Sequence, residues 1–368
     1  MQTSKKGTIL ISALWIVAIL AVFAVSIGRQ SAIFLKITSY NVDSLKAYFL
    51  ARAGIMRVLE EKALEYRSNL SLEIDALSEP WANNKELFYN HKLGEGAYTV
   101  GYEHAIKIDS DDMLFTFYGL MDEESKININ RSSAETLANL IAYFDIDISE
   151  AKEIAACIID WRDEDDEEFT SDDEEFYGAE ESFYQSLENP YSCKNENFDS
   201  IYELILVKGI SDDILDNIAA HITVYGSGMV NINTADEIVL ASVLGQDFDG
   251  LSFKILRYRN GNDETPGTKD DRWFSNGGAI IDRAEEGLVE IKNLQDPEWY
   301  ANIYGIGTDE YNRIRELFSS GKQEFSVNSK TYRAISVGSV KKVSIRLESV
   351  YEFDSDSNLP IIKFWYQE

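Results

Sequence analysis

The first 67 residues combine one uncharged apolar run with a long helical pattern. Residues 8–27 read TILISALWIVAILAVFAVSI, 20 residues without a charge, between Lys5-Lys6 and Arg29. At about 1.5 Å rise per residue, a helix of this length crosses a ~30 Å hydrocarbon core. Apolar residues then recur at spacings near three and four as far as Arg67, without a proline, which predicts one continuous helix. The lysines that precede the run predict a cytoplasmic N-terminus and a body on the far side of the membrane.

Three interpretations of this N-terminus are open. A secretory signal peptide has a shorter apolar region of ~7–15 residues and a small-residue cleavage site, which this run lacks. An ordinary signal anchor fits the length. The third rests on a resemblance: Lys5-Lys6-Gly7 followed by Thr8 is similar to the leader of type IV pilin-like proteins, which implies processing between Gly7 and Thr8 by a prepilin peptidase. Most such subunits carry Glu at the fifth mature position, where this chain has Ser12.

The patterns of the body predict strands at both ends and helices between them. Candidate strands cover residues 97–100, 114–118, 331–337, 343–353 and 359–366. We therefore expect an α+β fold in which an antiparallel sheet is interrupted by a large all-α domain. The expected divisions are a leader (1–7), an N-terminal helix (8–67, with 8–27 transmembrane), two sheet segments (68–120 and 321–368) and the helical insert (121–320).

A short motif occurs twice inside the expected insert. Ile127-Asn-Ile-Asn-Arg-Ser-Ser-Ala-Glu-Thr-Leu-Ala recurs 103 residues later as Val230-Asn-Ile-Asn-Thr-Ala-Asp-Glu-Ile-Val-Leu-Ala. In each copy an extended stretch meets a helix start, where polar side chains can cap free N–H groups. The repeat predicts a duplicated helical module of the SAM or helix-hairpin-helix type.

Two glycine turns between helical patterns allow two interpretations. They are Leu206-Val-Lys-Gly-Ile-Ser and Ile303-Tyr-Gly-Ile-Gly-Thr. Glycine N–H groups at a helix start can bind the phosphates of nucleic acid. The turns can equally be helix connections that need glycine, which we favour because Asp212, Asp213 and Asp216 surround the first turn.

Composition narrows the function classes. With 34 Lys and Arg against 64 Asp and Glu, the net charge of −30 opposes binding to nucleic acid or anionic lipid. The three histidines, His91, His104 and His221, lie near no nucleophile or metalloprotease motif, so we expect no enzyme. Cys157 and Cys193 lack metal-ligand spacing, and they are either one disulfide or two thiols.

The negative charge is concentrated in one segment. Between Asp160 and Glu181, thirteen of 22 residues are Asp or Glu, offset only by Arg162. Such carboxylates repel one another unless they are solvated or bridged by a cation, and Ca²⁺ takes 6–8 oxygen ligands. The spacing does not match the EF-hand loop. Composition alone favours a solvated charge run over a calcium site.

Three segments together resemble minor pseudopilin K of type II secretion systems. They are Ile159-Asp-Trp-Arg-Asp-Glu-Asp-Asp-Glu, Gly178-Ala-Glu-Glu-Ser-Phe-Tyr and Phe198-Asp-Ser-Ile-Tyr-Glu-Leu-Ile-Leu-Val-Lys-Gly-Ile. The resemblance implies a pilin-like fold with an inserted helical domain and structural Ca²⁺ in the acidic segment. The ligands that it implies are Asp160, Asp163, Asp165, Asp166, Glu180, Glu181 and, more weakly, Asp199. Loop acids at 172–175 are expected to be solvated.

The same resemblance implies a non-enzymatic role at the tip of a periplasmic pseudopilus that supports export of folded proteins. It implies minor pseudopilins I and J, the major pseudopilin, the inner-membrane assembly platform and a prepilin peptidase as partners. The expected location is the inner membrane, with a single pass. A tip subunit has no neighbour above it to pair with a carboxylate, which agrees with Ser12. A membrane-anchored calcium-binding adhesin and a helix-hairpin-helix binding protein are the alternatives.

Overall fold

The structure of the protein is a computed structural model. It describes residues 4–67, 74–108, 111–171, 176–245, 250–275, 279–283, 287–293, 325–354, 357 and 359–368. The second glycine turn, at 303–308, and the loop acids at 172–175 lie outside these residues.

The N-terminal apolar run and the helical pattern after it form one helix, as their periodicity predicted. Helix α1 spans Ser4–Arg67, and its stretch Ile9–Glu65 is long and apolar enough to cross a membrane. From Ile9 to Val42 its described side chains are exposed, whereas Ala47, Ala51 and Val58 are buried. Residues 9–42 of α1 are thus exposed, whereas the C-terminal turns of the helix belong to the core of the soluble domain.

The remaining elements follow in chain order. The helices are α2 (Lys85–Phe88), α3 (Ala134–Ala142), α4 (Ile148–Arg162), α5 (Glu181–Gln185), α6 (Asp212–Ile218), α7 (Glu237–Leu244) and α8 (Leu251–Arg259), with 3-10 turns at Glu123–Ser125 and Ile201–Leu206. The strands up to the second repeat are β1 (His91–Leu93), β2 (Gly96–Val100), β3 (Tyr102–Ile108), β4 (Asp111–Phe117), β5 (Met121–Asp122), β6 (Ile127–Asn128), β7 (Ile222–Thr223) and β8 (Val230–Asn231). The later strands are β9 (Phe274–Ser275), β10 (Ala279–Arg283), β11 (Gly287–Asn293), β12 (Phe325–Ser326), β13 (Thr331–Val340), β14 (Val343–Phe353) and β15 (Pro360–Gln367).

One antiparallel sheet carries α1. Its strand order is β1-β2-β13-β14-β15, with β5 also paired to β13. Strands β2 and β13 are neighbours although residues 101–330 separate them in the chain. Gly338 on β13 lets α1 approach, since a Cβ there would lie 2.0 Å from the Ala47 carbonyl oxygen. The helical part of the chain is therefore inserted between neighbouring strands of the sheet.

The insert is built from two similar modules, as the repeated motif predicted. In the first, β6 pairs in parallel with β7, and α3 packs on α4. In the second, β8 pairs in parallel with β12, and α7 packs on α8. Their buried side chains form one continuous apolar core. Short strands therefore accompany the helices, because each Asn-Ile-Asn stretch needs backbone partners for its polar groups.

Asparagine side chains organise both modules in the same way. The Asn130 side chain accepts from the Phe198 N–H at 2.7 Å and donates to the Phe198 carbonyl oxygen at 3.0 Å. The Asn233 side chain accepts from the Phe274 N–H at 2.9 Å and donates to the Phe274 carbonyl oxygen at 3.0 Å. Each asparagine therefore fixes one residue that lies far along the chain, and Phe198 and Phe274 occupy equivalent positions.

The first glycine turn is a connection between helical segments. Gly209 lies between the 3-10 turn at Ile201–Leu206 and α6, with φ +87°. A Cβ at this position would lie 2.7 Å from Ile154 on α4. The turn thus needs glycine for its backbone conformation and for its packing. Asp212, Asp213 and Asp216 beside it are exposed, and their charge repels phosphate.

Candidate metal centre

Helix α4 fixes the position at which the acidic segment begins. It begins at the cap residue Asp147, whose side chain accepts from the Ser149 N–H at 2.9 Å. Apolar side chains, including Ile154 and Ile158, bury one face in the insert core. The helix ends at Arg162, whose guanidinium donates to the carbonyl oxygens of Ile129 and Ser132 in the first Asn-Ile-Asn stretch. The start of the acidic loop is therefore attached to the repeat.

Asp160 organises the acidic loop from inside the core. It is fully buried, and its carboxylate accepts from the backbone N–H of Phe169 at 2.8 Å and of Ala179 at 2.5 Å. Gly178 is needed here, since a Cβ would lie 1.7 Å from an Asp160 oxygen. Burial raises the pKa of Asp160 to about 6, against the effect of its two backbone hydrogen bonds. Asp160 thus ties two distant points of the loop together.

Three further carboxylates converge beside it. Asp163, Asp165 and Glu180 each offer an oxygen, and these oxygens lie within 4.8 Å of one another. Glu180 is 3% exposed, and neither of its carboxylate oxygens has a hydrogen-bond partner. The Oδ1 atom of Asp163 is likewise buried without a partner. Buried polar atoms are normally satisfied, so these oxygens lack the positive partner that their positions require.

The raised pKa values of the clustered carboxyl groups also indicate that a positive partner is required. Burial, followed by the charges of Asp160 and Asp163, raises the pKa of Glu180 to about 7. Burial and the charge of Asp165 raise the pKa of Asp163. Carboxyl groups that are held together and partly buried resist ionisation unless a cation neutralises them.

Asn195 lies beside the cluster, although its sequence context does not reveal this. Its Nδ2 donates to the Asp165 carbonyl oxygen at 2.9 Å and to Asp166 Oδ1 at 3.1 Å, while its Oδ1 is buried without a partner. It follows Cys193 and Lys194 with φ +48°. A lone asparagine 32 residues after Asp163 carries no spacing signal, so only folding identifies it.

The other implied ligands have different partners in the structure. Asp166 accepts the Asn195 amide and lies at the edge of the cluster. Glu181 accepts from the Cys193 N–H at 2.7 Å and from Gln185 at 2.8 Å. The side chain of Asp199 is 90% exposed and forms an ion pair with Lys194 at 2.8 Å.

The oxygen set fits Ca²⁺. Three carboxylates and the Asn195 amide oxygen are hard ligands, and waters can complete the 6–8 oxygens that Ca²⁺ takes in flexible geometry. No cysteine sulfur is among these ligand atoms, which distinguishes the site from a typical structural zinc site.

The two cysteines are thiols, which settles the alternatives left open by the sequence. Cys157 and Cys193 are both buried and unbridged. Cys193 Sγ donates to the Asp160 carbonyl oxygen at 3.8 Å. Burial raises the pKa of Cys157 to about 12 and that of Cys193 to about 11, so both stay protonated.

The predicted processing position lies inside helix α1. Gly7 and Thr8 belong to its first turns, and Ser12 is exposed one turn later. The described part of α1 from Ile9 to Ile27 offers no acidic side chain to the apolar run.

Fold and site together define the class. A long apolar N-terminal helix that packs its last turns on an antiparallel sheet is the pilin-like α+β arrangement, and here it carries an inserted helical domain. Residues 116–227 match the family model described as type II secretion system (T2SS), protein K. This segment is thus similar to protein K, and the resemblance to minor pseudopilin K is supported.

A solved structure shares the fold over most of the chain. It is described as the GspK-GspI-GspJ complex from the enterotoxigenic Escherichia coli type 2 secretion system. The similarity has a TM-score of 0.59 at 16% identity and covers 90% of this chain and 99% of that one. A search of curated proteins finds no significant match.

Proposed function

We propose that this protein is a non-enzymatic tip subunit of the pseudopilus of a type II secretion system. In this role it supports export of folded proteins across the outer membrane. The observation that carries the proposal is the protein K domain inserted between neighbouring strands of a pilin-like sheet. The exposed apolar part of α1 supports a single-pass anchor in the inner membrane, with the body in the periplasm.

The shape of the chain favours a terminal position. Pilin-like subunits associate through their long helices, and α1 exposes large apolar side chains such as Phe34, Tyr40 and Phe49 above the apolar run. The insert adds two helical modules between β2 and β13, which are neighbouring strands of the sheet. This bulk fits the end of a filament better than a repeating position inside it.

The proposed partners follow from the same assignment. The similar E. coli protein is described in a complex with GspI and GspJ. We therefore place minor pseudopilins I and J beside this chain, with the major pseudopilin and the inner-membrane assembly platform below. A prepilin peptidase would cleave between Gly7 and Thr8, followed by methylation of the new N-terminus.

Structural Ca²⁺ is part of the proposal. The ion supplies positive charge that neutralises the buried carboxylates. Asp163, Asp165, Glu180 and Asn195 would hold it, because these residues present unpartnered or clustered oxygens. Asp160 positions the loop through its two backbone hydrogen bonds. Holding both ends of the segment would keep the surface of the first module in one conformation.

Intact mass and N-terminal sequencing test the first step. The protein is extracted from membranes with and without a prepilin peptidase. A chain that begins at methylated Thr8 only with the peptidase is expected. A chain that still begins at Met1 would favour a plain signal anchor, and cleavage near Ile27 would favour a released protein.

Co-purification tests the position in the filament. Minor pseudopilins I and J should elute with the full-length chain in detergent as one complex. Binding to major pseudopilin alone would contradict a tip role.

A further inference from the structure

The second helical module ends in an acidic loop that the proposed function does not use. Loop 260–271 reads NGNDETPGTKDD and follows α8 directly. A hydrogen bond from the Arg272 N–H to the Arg259 carbonyl oxygen, 2.8 Å long, closes it at its base. Because the two modules are duplicates, this loop can be compared with the acidic loop of the first.

The helix ends of the two modules correspond residue by residue. Arg162 donates to the carbonyl oxygens of Ile129 and Ser132 in the first module. Arg259 donates, at 2.8 Å each, to the carbonyl oxygens of Ile232 and Ala235, which are the matching positions of the repeat. The residues that follow the two arginines are therefore equivalent.

These following residues are Asp163 and Asn260. Each caps the end of its helix, and each donates its backbone N–H to the carbonyl oxygen four residues earlier, at 3.0 Å and 2.8 Å respectively. Asp163 is a member of the first cluster, and Asn260 takes its place in the second module.

The far ends of the two loops also correspond. Phe198 and Phe274 are equivalent, because each is held by the second asparagine of its own motif. Three residues before them stand Asn195 and Asp271. At the start and the end of its loop, the first module therefore carries Asp163 and Asn195. The second module carries Asn260 and Asp271 at the same two positions. Each module supplies one carboxylate and one amide oxygen to its own loop.

Asn260 has a buried side-chain oxygen without a hydrogen-bond partner, like residues of the first site. It is 4% exposed, and its Oδ1 is buried without a hydrogen-bond partner, as are Asp163 Oδ1 and Asn195 Oδ1. Asn260 follows Arg259 at the start of its loop, as Asp163 follows Arg162 at the start of the other. Asp271 is also 4% exposed, so both residues at the base of the loop are buried.

Further oxygens surround one hydroxyl group inside the loop. Thr268 Oγ1 lies 2.7 Å from Asp270 Oδ1, 3.4 Å from Asp263 Oδ1 and 3.5 Å from Asp271 Oδ1. It is also 3.3 Å from the Thr265 carbonyl oxygen. Backbone N–H groups also donate to these side chains, from Thr265 to Asp263, from Asn262 to Asp270 and from Gly267 to Asp271, so the carboxylates of the loop are held on one side of the chain turn.

We propose that loop 260–271 is a second divalent-cation site, for Ca²⁺, in which Asn260 and Asp271 take the roles of Asp163 and Asn195. The inference rests on the proposed calcium site of the first module. The Asn83 side chain donates to the Gly267 carbonyl oxygen at 3.0 Å, so the loop contacts the segment that precedes β1. A cation here would fix the second module against the sheet domain.

The test is the Ca²⁺ stoichiometry of the full-length protein in detergent, measured by equilibrium dialysis with Ca²⁺ alone as the ligand. The wild type is expected to bind one ion in each module. Asp271→Asn removes the second ion and Glu180→Gln the first, while the double variant binds neither. Asp212→Asn, which removes an exposed acid on α6, is the matched control and keeps both ions. Far-UV circular dichroism checks that each variant folds.

The outcomes separate the two sites. A wild type whose binding is abolished by Glu180→Gln alone overturns the second site and leaves the first intact. Loss of binding with Asp271→Asn but not with Glu180→Gln supports the second site and overturns the first. Asn260→Asp adds a charged ligand, so it should tighten the second site about tenfold, since charge count sets Ca²⁺ affinity. An unchanged affinity in Asn260→Asp contradicts the ligand role of Asn260.

Discussion

Substitution of Glu180 tests most directly whether the clustered carboxylates bind a cation. In the cation-free protein, burial and neighbouring carboxylates raise the pKa of Glu180 to about 7, whereas the unfolded chain releases this proton near 4.5. The folded state therefore loses stability as the pH rises from about 4.5 through about 7. At about 1.4 kcal/mol per pKa unit, the destabilisation above this window is about 3 kcal/mol. Glu180→Gln removes the charge and should stabilise the cation-free protein by up to that amount.

The same substitution should remove the part of the Ca²⁺ response that comes from the site of the first module. At that site, Ca²⁺ at 100 times its dissociation constant adds about 2.7 kcal/mol for the wild type, which raises the melting temperature by about 5–10 °C. The assay is thermal unfolding of the full-length protein in detergent, with chelator or with Ca²⁺, above pH 7. Asp212→Asn should behave as the wild type does. A Glu180→Gln protein that melts earlier in chelator and keeps the full Ca²⁺ shift would refute the assignment.

Three further predictions concern the junctions of the fold. Burial and a nearby carboxylate raise the pKa of Glu124 to about 8, so stability should fall as the pH rises from about 4.5 to 8, and Glu124→Gln should flatten this dependence in urea unfolding. Lys62 is fully buried against Asp75, so Lys62→Met should destabilise the protein by about 3–5 kcal/mol in chemical unfolding, because it leaves a buried carboxylate unpaired. Gly178→Ala displaces Asp160 and should weaken Ca²⁺ binding about tenfold or more in calorimetric titration, as loss of supporting contacts typically does.

Local patterns in the sequence predicted the elements that depend on them. The uncharged run and its helical continuation predicted α1, because apolar periodicity and the absence of proline act within a few turns. Alternating β-formers predicted β13 and β14, whose observed bounds are Thr331–Val340 and Val343–Phe353. The repeated Asn-Ile-Asn motif predicted two modules, since each copy forms its own extended stretch and helix start.

The proposed metal centre depends on contacts that no spacing in the sequence records. Composition alone favoured a solvated charge run, and the structure instead buries Asp160 and Glu180. Asp165 and Glu180 come together because Asp160 binds the backbone at Phe169 and Ala179 and folds the chain back on itself. The desolvation that raises the pKa of Glu180 exists only after this folding.

The sequence by itself determined the long apolar helix, the strand-rich ends, the duplication and the excess of negative charge. Each of these features depends only on neighbouring residues or on a direct repeat. Tertiary structure alone decided which side-chain oxygens are desolvated and lie close together. Asn195 lies far from Asp165 and Asp166 along the chain. It meets them because the asparagine of the first repeat holds the backbone of Phe198, and the arginine of helix α4 holds the repeat.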